Sequence, residues 1–159
     1  MNITSFCLLV FLSVDQPDTS IIQKSFDTLK SKGTAERVIL LNNGTSTTYF
    51  RRKFDLISYN IETTSTGNKV IPYFAVVKFR ARVKTSKDCA TMLLATNALL
   101  ENNSESFLQW QAIYRLVQDN WALENIVYRS TNGEISGDYK TTMDARHFVY
   151  DWFNALDGY

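Results

Sequence analysis

The sequence predicts an α+β domain. A curved antiparallel sheet of four to six strands carries a helix at its N-terminal end and an amphipathic helix at its C-terminal end. Three stretches predict this. Residues 73–84 read YFAVVKFRARVK. Tyr73, Ala75, Val77, Phe79, Ala81 and Val83 alternate with Phe74, Val76, Lys78, Arg80, Arg82 and Lys84, and a period of two puts the sets on opposite faces of a strand. Residues 107–117 and 121–129 form a second strand pair around a short polar turn. Near the end of the chain, Ala145, Phe148, Val149, Trp152 and Leu156 recur at helical spacing and give one apolar stripe.

In chain order, residues 1–14 (MNITSFCLLVFLSV) hold no charged side chain, and Phe6 to Leu12 is a continuous apolar run. The run is too short to cross a bilayer and has the length of a signal-peptide core. No Lys or Arg precedes it and no A-x-A-like cleavage site follows, so a first buried strand is the competing reading. After the polar stretch Asp15-Gln16-Pro17-Asp18, Ile22, Phe26 and Leu29 predict an amphipathic helix over residues 19–32, capped by Asp18 or Thr19 and stopped by Gly33. Residues 34–41 are ambiguous, with a second helix ending at Asn42-Asn43-Gly44 as the reading offered. A polar loop at 45–48 leads to Arg51-Arg52-Lys53.

Residues 54–63 alternate again, with Ile57, Tyr59 and Ile61 on one side. Ser65-Thr66-Gly67-Asn68 is a turn signal, so this run and the 73–84 strand make an antiparallel hairpin. Pro72 suits a strand start because it donates no ladder hydrogen bond. Residues 89–101, CATMLLATNALLE, fit a covering helix or an extra strand. In the next hairpin an Asp119-Asn120 turn would pair Gln118 with Trp121, Leu116 with Leu123, Tyr114 with Asn125 and Ala112 with Val127. Arg115 would then meet Glu124 on the other face. Thr141 with Asp144 resembles a capping box for the last helix, and Gly158 ends it.

At 159 residues the chain fits one domain, residues 15–159 if the first fourteen are a leader. The net charge of +1 gives no general polyanion affinity, so any electrostatic function comes from local clustering. Two cysteines, Cys7 and Cys89, exclude a disulfide framework. The sequons at Asn2, Asn43 and Asn102 matter only in a secreted eukaryotic protein. A leader predicts a secreted or extracytoplasmic protein, and a buried first strand predicts a cytoplasmic one.

Phe107 and Gln109, followed by an apolar strand, a short loop, and then Trp121, Asn125, Tyr128 and Arg129, resemble the F-x-Q and W-x-x-x-N-D-x-F-R segments of the nuclear transport factor 2-like superfamily. The resemblance covers about a quarter of the chain. It implies a cone-shaped α+β fold. Ile126 stands where the family carries Asp, so a partner contact through that Asp does not transfer. Residues 86–106 look like an insertion against the nuclear transport factor itself. The superfamily hosts enzymes and non-catalytic binding modules alike.

Enzymes of this resemblance, isomerase- or dehydratase-like, place an Asp, Glu or His inside the cone as general acid or base. The expected inward positions here carry none. Their polar members are Tyr59, Tyr73, Trp110, Tyr114 and Asn125, which suit an apolar ligand held by a few hydrogen bonds. The plainer reading of the same face is a filled core. His147, the one histidine, has Asp144 and Asp151 on its helix face, but lacks the further Cys or His of a metal site, so a solvated face is expected. Lys78, Arg80, Arg82 and Lys84 form a comb of positive charge that would serve an anionic partner. Alternatively it is a solvated face paired with Glu62 and Asp55. Phe74 is the one aromatic on that face, so nucleic-acid stacking is not expected. No phosphate loop, C-x-x-C or nucleophile motif occurs, and neither cofactor nor metal is implied.

The sequence thus points to a non-catalytic interaction or small-ligand-binding module, whose partner is an apolar small molecule or a protein, with no membrane span. The alternatives are an enzyme with an apolar cone and a scaffold that dimerises through Ile113, Ile126 and Tyr128 on the outer sheet face.

Overall fold

The computed structural model describes residues 16–129, 135–136 and 148–156. The candidate leader, Thr141, Asp144, His147 and Gly158 lie outside the described residues. Within them the chain forms a helix α1 (Ser20–Lys32), strands β1 (Arg37–Asn42), β2 (Thr47–Ser65) and β3 (Tyr73–Thr85), and a short helix α2 (Met92–Asn97). Strands β4 (Glu101–Val117), β5 (Asn120–Arg129) and β6 (Ile135–Ser136) and helix α3 (Phe148–Leu156) follow. The strands lie in sequence order, each antiparallel to the next. The sheet is strongly curled into a half-barrel, an α+β arrangement compatible with a cone-like fold. Among the described residues no helix is long and apolar enough to cross a membrane.

Helix α1 begins where Asp18 accepts hydrogen bonds from the Ser20 amide (2.8 Å) and the Ser20 hydroxyl (2.9 Å). Ile22, Phe26 and Leu29 form its buried side. Gly33 ends it at φ +69°, and a Cβ there would stand 2.8 Å from the Phe54 carbonyl oxygen. That close approach lets the next residue dock on β2. The Thr34 amide donates to the Phe54 carbonyl (2.9 Å), and the Phe54 amide donates to the Thr34 hydroxyl (3.0 Å).

The helix expected over 34–41 is instead β1. Its apolar run Val38-Ile39-Leu40-Leu41 pairs with residues 48–51 of β2, which starts at Thr47, inside the loop expected at 45–48. A four-residue apolar run fits helix or strand equally, and pairing with a long neighbour decides. Residues 89–101 divide: Cys89 bridges Tyr49 of β2, Met92–Asn97 is helix α2, and Glu101 begins β4. Thr91 caps α2 by accepting from the Leu94 amide at 3.3 Å, and Ala95 is its buried residue.

Strand β2 is 19 residues long and changes face once. Its register with β3 shifts between Leu56 and Ser58. Before the bulge Phe54 and Leu56 point into the core, and after it Tyr59 and Ile61 do. Ile57, expected inside, is the extra residue and is 36% exposed. A bulge adds one residue to one strand and reverses its alternation.

The β4–β5 hairpin corrects a second register. The turn is Gln118-Asp119, both at positive φ (50° and 61°), so Val117 faces Asn120 and Tyr114 faces Leu123. A further shift falls between Ile113 and Tyr114, after which Ile113 faces Asn125 and Ala112 faces Ile126. Two positive-φ residues match the right-handed twist of the strands. Asn125, expected inside, therefore lies on the outer row with Ile113. Ile126, expected outside, is 0% exposed in the core. Arg115 and Glu124 still meet, at 3.7 Å.

The inner face of the half-barrel is packed by both long helices. Val149, Trp152 and Leu156 of α3 join Ile22, Phe26 and Leu29 of α1 against Phe54, Val77, Phe79, Trp110, Ala112 and Ile126. The Trp152 ring sits 4.8 Å from Phe79, 5.5 Å from Phe54 and 6.0 Å from Trp110, in tilted or edge-on contacts of the kind that aromatic quadrupoles favour.

Candidate functional site

The β3 register assembles the outer face row by row. Ser58, Arg80 and Gln109 are cross-strand neighbours on β2, β3 and β4, and Asn60, Lys78, Gln111 and Val127 form a parallel row across β2 to β5. Between them lies the row Tyr59, Phe79 and Trp110. The rings of Phe79 and Trp110 are in the core, so this middle row presents backbone outward. The result is an open trough of about 390 Å³ lined by these residues. It runs across the strands, with polar rows as walls and ladder backbone as floor. Strand spacing makes it about 14 Å long from β2 to β5, and two residues along a strand separate the walls by about 6.8 Å.

The trough walls are polar and carry one cation each at the centre. Arg80 is exposed on one wall and Lys78 on the other. Glu62 fixes the Lys78 wall: the Lys78 ammonium donates to both of its oxygens (2.9 and 2.7 Å), and the Asn60 amide donates to one (3.2 Å). The hydrogen bond from Lys78 is the main reason the Glu62 carboxyl titrates below the usual carboxylate range. Farther along β3, Lys84 pairs with Asp55. The comb is therefore interleaved with carboxylates of β2, and Lys78 and Arg80 are its two members on the trough. Arg82 and Lys84 lie beyond it.

Of the residues expected to hold an apolar ligand inside the cone, Tyr59 and Trp110 border the outer trough through its middle row. Trp110 and Tyr114 are core residues. Tyr59 lies between α1 and β2, where its hydroxyl donates to Asp27 at 2.5 Å. Burial first, and then the Asp27 carboxylate, push this phenol up to about 12. Tyr73 begins β3 and is half-buried, and Asn125 is on the outer row. The crevice between Ile22, Tyr114 and Leu156 holds about 10 Å³, at the lower limit for one water.

A carboxylate does enter the core, contrary to the expectation that none would. Asp151, read as part of a solvated face beside His147, is buried on α3 between two guanidiniums. Arg37 of β1 reaches one oxygen at 2.6 Å and Arg52 of β2 the other at 2.6 Å. Arg52 is 2% exposed, and burial first lowers its pKa while Asp151 opposes that shift. Arg37 also stacks over Tyr150 at 4.3 Å. With both oxygens bound by cations, Asp151 is a counterion that clamps α3 to the sheet. Among the described residues no three His, Cys, Asp or Glu side chains come together to hold a metal.

The sequence reading missed Ser58, Asn60, Gln109 and Gln111. Gln109 and Gln111 were legible, because they alternate with the core residues Trp110 and Ala112 and so share the face of the comb. Ser58 and Asn60 were legible in the same way, because they alternate with Tyr59 and Ile61, which pack against the core. The outer dimer patch of Ile113, Ile126 and Tyr128 does not assemble, because Ile126 is in the core. Comparisons with protein-family models, curated proteins and solved structures return no match.

Proposed function

We propose that this chain is a non-catalytic binding module that takes an anionic ligand in the outer trough, on a scaffold of the nuclear transport factor 2-like kind. One observation carries this reading. Lys78 and Arg80 stand on opposite walls of an open trough whose remaining polar lining, among the described side chains, is neutral. An anion lying between them would meet a cation from either side, with hydrogen-bond donors flanking it. The helices fill the inner face, which supports a binding function on the outer one. The half-barrel with a helix at each end supports the superfamily likeness.

The test is a titration of inorganic sulfate followed by amide and side-chain nuclear magnetic resonance. Shifts confined to Ser58, Asn60, Lys78, Arg80, Gln109 and Gln111 are expected, and added sodium chloride should weaken them. No saturable shift, or shifts scattered over the surface, would overturn the assignment.

A further inference from the structure

We infer that the ligand of the trough is a short acidic oligosaccharide, a sulfated or uronate-bearing one, lying across the strands; this rests on the anion-binding reading above. Three features favour a saccharide over other anions.

The first is direction. Peptides that bind sheets run along a strand and take their affinity from main-chain hydrogen bonds at an open edge. This trough crosses β2, β3 and β4 at right angles, over a floor whose amides and carbonyls already bond within the ladder. A peptide lying in it would leave its own backbone without that pairing.

The second is the chemistry of the walls. Asn60, Gln109 and Gln111 are carboxamides and Ser58 is a hydroxyl. Each both donates and accepts. A carboxylate side chain or a bare inorganic anion only accepts, so it would use the N–H half of each carboxamide and face the carbonyl half unfavourably. A sugar hydroxyl also donates and accepts, and can satisfy both halves. The central pair Lys78 and Arg80 then marks where the charged substituent sits, with the carboxamides of β4 at its side.

The third is the lining itself. Val127, at the β5 end, supplies an apolar contact, and the aromatic rings of the floor row turn into the core. Among the described side chains the trough therefore offers no platform for stacking bases, and a saccharide does not require one.

The experiment is isothermal titration of the full chain with a heparin-derived tetrasaccharide, with inorganic sulfate, hexaglutamate and maltotetraose as comparators. The tetrasaccharide should bind at least about tenfold more tightly than sulfate or hexaglutamate, and maltotetraose more weakly than the sulfated tetrasaccharide. The exposed pair Gln109→Ala/Gln111→Ala should lose that advantage, its affinity for the tetrasaccharide falling to within about threefold of its own affinity for sulfate. The near-isosteric pair Gln109→Glu/Gln111→Glu, which keeps the wall shape, should repel both. Hexaglutamate binding as tightly as the tetrasaccharide, or a carboxamide variant that keeps the full advantage, would overturn the oligosaccharide while sulfate binding left the anion site standing. If neither sulfate nor tetrasaccharide binds, both readings fall.

Discussion

Asp151 shows what a single residue decides here. Its neighbours in sequence suggested a polar helix face, yet two arginines from strands far earlier in the chain bury it. Arg52 reads in the sequence as part of a basic cluster with Arg51 and Lys53. No local pattern shows that every second residue of β2 turns inward, or that α3 brings a carboxylate to meet it. Removing one partner of a buried ion pair leaves charge without compensation, so Asp151→Ala should destabilise the fold by about 3–5 kcal/mol in a denaturant titration. An exposed Asp would cost close to nothing.

Two further residues give pH tests. The Tyr59 phenol is pushed up to about 12 from 10.0. A raised folded-state pKa contributes stability that is present below the unfolded value and lost as pH rises toward the folded one. The melting temperature should therefore fall between pH 10 and about 12, and Tyr59→Phe should fall less over that window. Glu62 titrates below its usual range, and it competes with any ligand anion for Lys78. Sulfate stays ionised in mild acid, so its binding should strengthen as pH falls through the Glu62 range. Glu62→Gln should show the stronger binding already at neutral pH and remove the pH dependence.

At the scale of elements, strict alternation made β3 readable from residue 73 onward, and helical spacing made α1 and the apolar stripe of α3 readable. Elsewhere the alternation is broken. The bulge at Ile57 reverses β2, and the shift beside Tyr114 reverses β5. One extra residue exchanges every side chain downstream of it between the two faces, which moved Asn125 out and Ile126 in. Strand β1 was lost for another reason, because four apolar residues carry no period until a partner strand supplies one. Helix α3 brings Val149, Trp152 and Leu156 to the core. Trp152 is 0% exposed and touches aromatic rings from β2, β3 and β4. Trp152→Ala should therefore cost about 3–5 kcal/mol by equilibrium unfolding, through lost transfer energy and the cavity left behind.

For the whole molecule, the two faces of one sheet divide the work. Helices α1 and α3 fill the inner face, where the sequence suggested a ligand, and the outer face carries the trough. The comb of β3 was visible in the sequence as charge. The alignment of its neighbours beside it was not, because a row across a sheet joins residues far apart in the chain, here Asn60 and Gln111 on either side of Lys78. The most direct measurement of this division is sulfate titration into Lys78→Gln/Arg80→Gln, with unfolding followed on the same sample. Both side chains are exposed and surface ion pairs contribute about 0–1 kcal/mol, so the variant should unfold within about 1 kcal/mol of the parent and bind sulfate at least about tenfold more weakly. Undiminished sulfate binding by the folded variant, or loss of the fold itself, would contradict the account.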